Sequence, residues 1–122
     1  RHKLLISGAL REMIIMRVAL LNGAPYEADQ HKPVALKEGV APAQLEALAE
    51  WETAEVFSAT ERAVLRLTDA MTRDIHCEPE ILDAVRQHLG ERGTVEVAAT
   101  IAAYNMVSRF LEALQIHSDD PR

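Results

Sequence analysis

Apolar residues return every three or four positions along most of this chain, and no segment alternates like a half-buried strand. Ser7 can cap a helix from about Gly8 to Leu21, which Asn22-Gly23 would stop. Pro25 suits the first turn of a second helix, about Pro25 to Lys37, ended by Gly39. Pro33 lies inside it, removes one backbone donor, and is expected to bend it just after His31. Pro42 to about Trp51 reads as a short third helix carrying Leu45, Leu48 and Ala49 on one side. The capping box Ser58-Ala-Thr-Glu61 opens a fourth, through Met71, with Ala63, Val64, Leu67 and Ala70 at helical spacing. Pro79 begins a fifth, with Ile81, Leu82, Val85 and Leu89 facing inward, and Gly90 ends it.

The longest element is expected from Thr94 to about Ile116. Its small residues (Ala98, Ala99, Ala102, Ala103) stand beside Val95, Val97, Ile101, Val107, Phe110 and Leu114. A helix apolar round most of its circumference should be buried, in so small a protein partly against another subunit. The tail from His117 to Arg122 reads as an exposed end. The pattern therefore predicts an all-α fold of about six helices.

Length and charge narrow the functions. A chain of 122 residues with 48% hydrophobic content can bury one core, so one domain over residues 1–122 is expected. A net charge of -6 leaves no basic stripe for phosphates and argues against nucleic acid as a partner. No apolar run reaches the length that spans a bilayer, so no membrane partner is expected. The single cysteine, Cys77, cannot close a disulfide within the chain and fits a reducing cytoplasm. The chain opens on Arg1 rather than Met, so a native N-terminal segment is expected to precede it.

The strongest chemical signal is Glu12 within the apolar stretch Leu10 to Leu21, followed by His31 on the next helix. Two consecutive helices can bring one acid–base group each to a shared seam, and a carboxylate against an imidazole moves protons near neutral pH. A carboxylate inside an apolar helix also needs a partner. Glu27 and His31, four apart, share one helix face; by itself that spacing would mark only a solvated pair. Arg17 could hold a substrate carboxylate through its planar fork, although a structural ion pair is the commoner use. Asn105 and Tyr104 could line a pocket or satisfy backbone groups at a subunit contact. Cys77, before the helix that starts at Pro79 and beside His76, reads as an ordinary free thiol. No metal site is expected: His76, His88 and His117 are scattered, and Glu27 with His31 would supply only two ligands.

The stretch Leu10-Arg-Glu-Met-Ile-Ile-Met-Arg-Val-Ala19, then Tyr26-Glu27, His31, Ala35 and Gly39, resembles the carboxymuconolactone decarboxylase-like and alkylhydroperoxidase D-like superfamily. Phe57 to Arg62, and Val95-Glu96 through Tyr104-Asn105 to Ala113-Leu114, look like the remainder of one branch. The resemblance implies an all-helical fold assembled as trimers or hexamers. The peroxidase branch carries a glutamate, a Cys-x-x-Cys pair, and a histidine three residues later. Glu12 and His31 match its glutamate and histidine, but Ala24 and Glu27 stand at the cysteine positions, with Tyr26 beside the second. Peroxide reduction needs a thiolate and a resolving thiol, so the dithiol route is not expected here.

What remains implies a cofactor-independent enzyme, a decarboxylase or isomerase of a small carboxylated or carbonyl compound. In that expectation His31 exchanges the proton and Glu12 orients it. Tyr26 donates a hydrogen bond to a carbonyl or enolate oxygen, and Glu27 is a second base or a second partner for His31. The open alternatives are a peroxidase-type antioxidant enzyme and a non-catalytic oligomer that binds a ligand.

Overall fold

The computed structural model describes residues 6–116. Every regular element among them is helical: α1 (Gly8–Leu21), α2 (Pro25–Glu38), α3 (Pro42–Ala47), a 3₁₀ turn (Leu48–Thr53), α4 (Ala59–Asp74) and α5 (Pro79–Ala113). The caps explain the boundaries. Ser7 Oγ accepts from the Leu10 N–H at 3.0 Å, and Asn22 and Gly23 (φ 60°) close α1. Gly39, at φ 108°, ends α2 in the left-handed region that a side chain would resist. Pro33 sits within α2, and the helix continues through it to Glu38. The reciprocal Ser58–Glu61 bonds open α4, which runs past Met71 to Asp74.

Two expectations change. The helix expected to reach Trp51 gives way at Leu48 to a 3₁₀ turn, because Arg17 Nη1 takes the carbonyls of Leu48 and Ala49 at 2.9 and 3.2 Å. Those acceptors serve a buried cation rather than an α-helical ladder. The two helices expected to be separated after Gly90 form one interrupted element. Only Gly90 leaves helical geometry (φ 72°, ψ -179°), and Thr94 Oγ1 ties back to its carbonyl at 2.6 Å.

The centre of the protein is α1, which buries apolar side chains on two faces. One face joins Leu10, Ile14 and Val18 to Val64 and Leu67 of α4 and Val85, Val97 and Ile101 of α5. The opposite face joins Met13 and Met16 to Ala35 of α2 and to Leu48, Trp51, Phe57 and Leu65. Each fully buried aliphatic here contributes about 1.5–3 kcal/mol, so α1 is where a new polar group would be most damaging.

The longest helix, expected to be buried partly against another subunit, is covered on one side only within the single chain. Val95, Ala99, Ala102, Met106, Phe110 and Leu114 form an apolar stripe on its solvent side. Among the described residues, α1 and α4 pack against the other side of this helix and leave that stripe exposed. The expected tail from His117 to Arg122 lies outside the described residues. No helix among the described residues is long and apolar enough to cross a membrane.

Candidate acid–base site

Helices α1 and α2, joined by residues 22–24, pack side by side and carry the two groups into contact. Glu12, 2% exposed, places Oε1 2.8 Å from Nδ1 of His31. A carboxylate only accepts, so Nδ1 carries the hydrogen and Nε2 is left for exchange. Glu12 Oε2 lies 3.4 Å from Arg11 Nε, and the His31 side chain keeps 23% of its surface open. The ring of Tyr104, from α5, meets His31 edge to face, centroids 5.6 Å apart and planes at 86°. The site thus has a shielded carboxylate, a partly open imidazole and an aromatic wall.

Glu27, one turn before His31 on α2, is also 2% exposed. Its Oε1 lies 2.6 Å from Ser108 Oγ on α5, while Oε2 has no hydrogen-bond partner among the described residues. Ser108 Oγ also lies 2.9 Å from the Tyr104 carbonyl oxygen. Helices α1, α2 and α5 therefore each supply part of one cluster.

The hydrogen bond to Glu12 raises the His31 pKa above its usual 6.5; burial works against it, the Glu12 and Glu27 charges add to it, and Arg11 opposes. Burial raises the Glu27 carboxyl above its usual 4.5, partly countered by Ser108 and by His31. Burial also raises Tyr104, with the negative charges of Glu12 and Glu27 in the same direction and Arg11 opposed.

His31 therefore binds its proton more tightly folded than unfolded. Its stabilising contribution is whole below its unfolded value of 6.5 and is lost as pH rises through the raised folded value. The stability advantage of the native protein over His31→Gln should shrink as pH rises from about 6 to about 9. Paired thermal melts across that range measure it. An advantage that grows with pH would contradict the raised histidine.

The remaining candidates lie elsewhere. Arg17 is buried in a bidentate pair with Asp69, Nε to Oδ1 at 2.8 Å and Nη2 to Oδ2 at 3.0 Å. Trp51 Nε1 donates to Asp69 Oδ2 at 3.0 Å, and the Arg17 Nη1 is held by the carbonyls of Leu48 and Ala49. The guanidinium thus makes the structural ion pair that its apolar surroundings require, the commoner of the two uses weighed for it. Asn105 is likewise engaged within the chain. Its amide donates to Thr72 Oγ1 and the Ile101 carbonyl, and its Oδ1 accepts from Asn22 and Arg109. It locks α5 to α4 and to the end of α1.

Tyr26 is half-buried and makes no hydrogen bond or ring contact among the described residues. Five residues on a helix subtend about 140°, which turns it from the face that carries His31. Cys77 packs against the α1–α4–α5 cluster. His88 Nδ1 meets Thr60 Oγ1 at 3.1 Å, and His117 lies outside the described residues. No three His, Cys, Asp or Glu side chains gather as metal ligands among the described residues. A groove of about 490 Å³ lined by Trp51, Arg62, Arg66 and His88, among others, does not include Glu12 or His31.

The sequence reasoning left Tyr104 undecided and missed Ser108 altogether. The available signal was their spacing: four apart, they share a helix face, with Asn105 and Ser108 as polar residues in an otherwise apolar run.

The fold has counterparts. YdfG of Bacillus subtilis (strain 168), an uncharacterized protein, is 28% identical over 111 residues, covering 89% of this chain and 76% of its own. A crystal structure from Agrobacterium tumefaciens, of a protein of unknown function whose name links it to antioxidant defence as AhpD, superposes with a TM-score of 0.84. It is 22% identical, over 93% of this chain and 77% of that one, and so speaks for the fold alone. An uncharacterized peroxidase-related protein from Silicibacter sp. TM1040 gives a TM-score of 0.81 at 25% identity, over 92% of this chain and 59% of that one. Residues 5–70, which hold Glu12, Glu27 and His31, match the Carboxymuconolactone decarboxylase family, and the chain belongs to that family.

Proposed function

We propose that this protein is a cofactor-independent acid–base enzyme, a decarboxylase or isomerase acting on a small carboxylated or carbonyl compound. The observation that carries the reading is the 2.8 Å contact between the shielded Glu12 carboxylate and the partly open His31 imidazole. His31 exchanges a proton with substrate through Nε2, while Glu12 orients the ring and stabilises its cationic form. The hydrogen-bond donor to a developing enolate is Tyr104, beside His31, rather than Tyr26. Decarboxylation or a proton shift next to a carbonyl asks for these elements: charge stabilisation at oxygen, then protonation at carbon. A screen of small keto acids and lactones for carbon dioxide release or isomerisation, run on the native protein and on His31→Gln, tests it. Peroxide consumption that disappears in Cys77→Ser would replace this reading with the antioxidant one. Ligand binding without turnover would replace it with a non-catalytic oligomer.

The working form is a homo-oligomer, a trimer or hexamer, built on the exposed stripe of α5. The stripe sits on the helix that carries Tyr104 and Ser108, so a neighbouring copy would also wall the site from water. Replacing Phe110, an exposed member of the stripe, by Glu should shift the protein to monomer in sedimentation or light scattering. An unchanged mass for that variant at micromolar concentration would remove α5 as the interface.

A further inference from the structure

We propose that Glu27 is a neutral carboxylic acid whose Oε1–H donates to Ser108 Oγ, and that it stores the proton which the site delivers to substrate. The geometry of one hydroxyl carries the first part. Ser108 Oγ lies 2.6 Å from Glu27 Oε1 and 2.9 Å from the Tyr104 carbonyl oxygen. A serine hydroxyl has one hydrogen, and a backbone carbonyl can only accept. With the hydroxyl donating to Tyr104, as its position one helical turn on favours, the 2.6 Å contact is made by a hydrogen on the carboxyl group. The second oxygen points the same way. Oε2 is buried without a hydrogen-bond partner among the described residues, tolerable for the carbonyl of an acid and costly for a carboxylate.

The surroundings agree. The charge of His31, on its own helix, acts on Glu27, and Glu27 with Glu12 and Arg11 of α1 acts on His31 and on Tyr104 of α5. Arg11 is held between Glu12 and Glu38. Arg109, the neighbour of Ser108, turns to Asn105, and Glu112 lies one turn further along α5. The ion pair of Glu12 with His31 leaves Glu27 as the carboxyl group without a cation at hydrogen-bond distance in this cluster.

Ser108 is then a positioning residue with two settings. In transfer, His31 Nε2 gives its proton to the substrate carbon, whose enolate electron pair forms the new C–H bond. The Glu27 O–H bond then breaks, its electron pair stays on the carboxylate, and its proton replaces the one His31 has lost. The Ser108 hydroxyl rotates from the Tyr104 carbonyl to the new carboxylate. A proton from water restores the acid. The transfer step rests on the acid–base reading above, whereas the location of the proton does not.

Infrared spectra of the full chain in H₂O and D₂O at pH 7 test that location. A protonated-carboxyl carbonyl band that shifts on deuteration is expected, and it should be absent from Glu27→Gln, whose amide mimics the neutral acid. Ser108→Ala should move the band, and should raise its titration midpoint by about 1–2 pH units, the effect of one hydrogen bond to a charged acceptor. Should Glu27→Gln not fold, titration of ¹³C-carboxyl glutamate resonances in the native protein and Ser108→Ala reads the same midpoint. No such band at pH 7, a band that survives Glu27→Gln, or a midpoint unmoved in Ser108→Ala overturns the proposal. None of these results bears on Glu12 and His31, whose role stands or falls with the turnover of His31→Gln.

Discussion

His31→Gln is expected to lower turnover of the substrate found by screening by about 10²–10⁴-fold, the range for loss of a positioned general acid–base. The reason is chemical rather than structural. A glutamine amide can still donate to Glu12, which otherwise keeps only the 3.4 Å contact with Arg11. It cannot take up and release a proton. As pH rises through the raised His31 pKa and the charged form stops contributing, the melting temperature of the variant should therefore approach native. Glu12→Gln separates orientation from transfer. Glu12 is the largest influence raising the His31 pKa, so its loss should shift the histidine limb of the pH–rate profile downward as well as slow the reaction. Native rates in His31→Gln would remove the histidine from the mechanism, and a slow variant with an unshifted limb would reduce Glu12 to a packing role.

Asp69→Ala is expected to be the most damaging single change to stability, at roughly 3–5 kcal/mol. Asp69 accepts three hydrogen bonds, two from Arg17 and one from Trp51, all in buried surroundings. Removing it leaves a guanidinium unpaired beside the core of α1, α4 and the 3₁₀ turn, and buried unpaired charge is the expensive outcome. For a protein of this size the melting temperature should fall by on the order of 10–20 °C. Asp69→Asn, which keeps an acceptor and the shape, should cost clearly less. Thermal and urea unfolding measure both, and a loss within about 1 kcal/mol for Asp69→Ala would mean that water or rearrangement replaces the pair. The effect is structural, so Arg17 and Asp69 should influence catalysis only through the folded fraction.

The candidate site was legible in part. Glu12 and His31 were visible because a carboxylate in an apolar helix must find a partner, and a short turn sends the next helix back along the first. Glu27 was visible from its four-residue spacing to His31. The partners of Arg17 and Asn105 were not legible, because both residue types suit substrate carboxylates and pockets as well as structural pairing. Asp69 and Thr72, which hold them, lie 52 and 33 positions away, beyond any local pattern. Tyr26 entered through its place beside the second cysteine position of the resemblance, and the helix turns it from the face that carries His31.

Local chemistry in the chain decided the helices and most of their ends: Ser7, Ser58 and Pro25 as starts, and Gly39 as a stop, act through bonds and angles within a few residues. It also decided that one carboxylate and one imidazole would meet. Tertiary packing decided which helix is central, why the backbone tightens at Leu48, and which of the polar residues stay open to chemistry. It alone brought Ser108 and Tyr104 of α5 to Glu27 and His31, because a contact across 81 positions depends on how three helices pack together and leaves no periodic trace in any one of them.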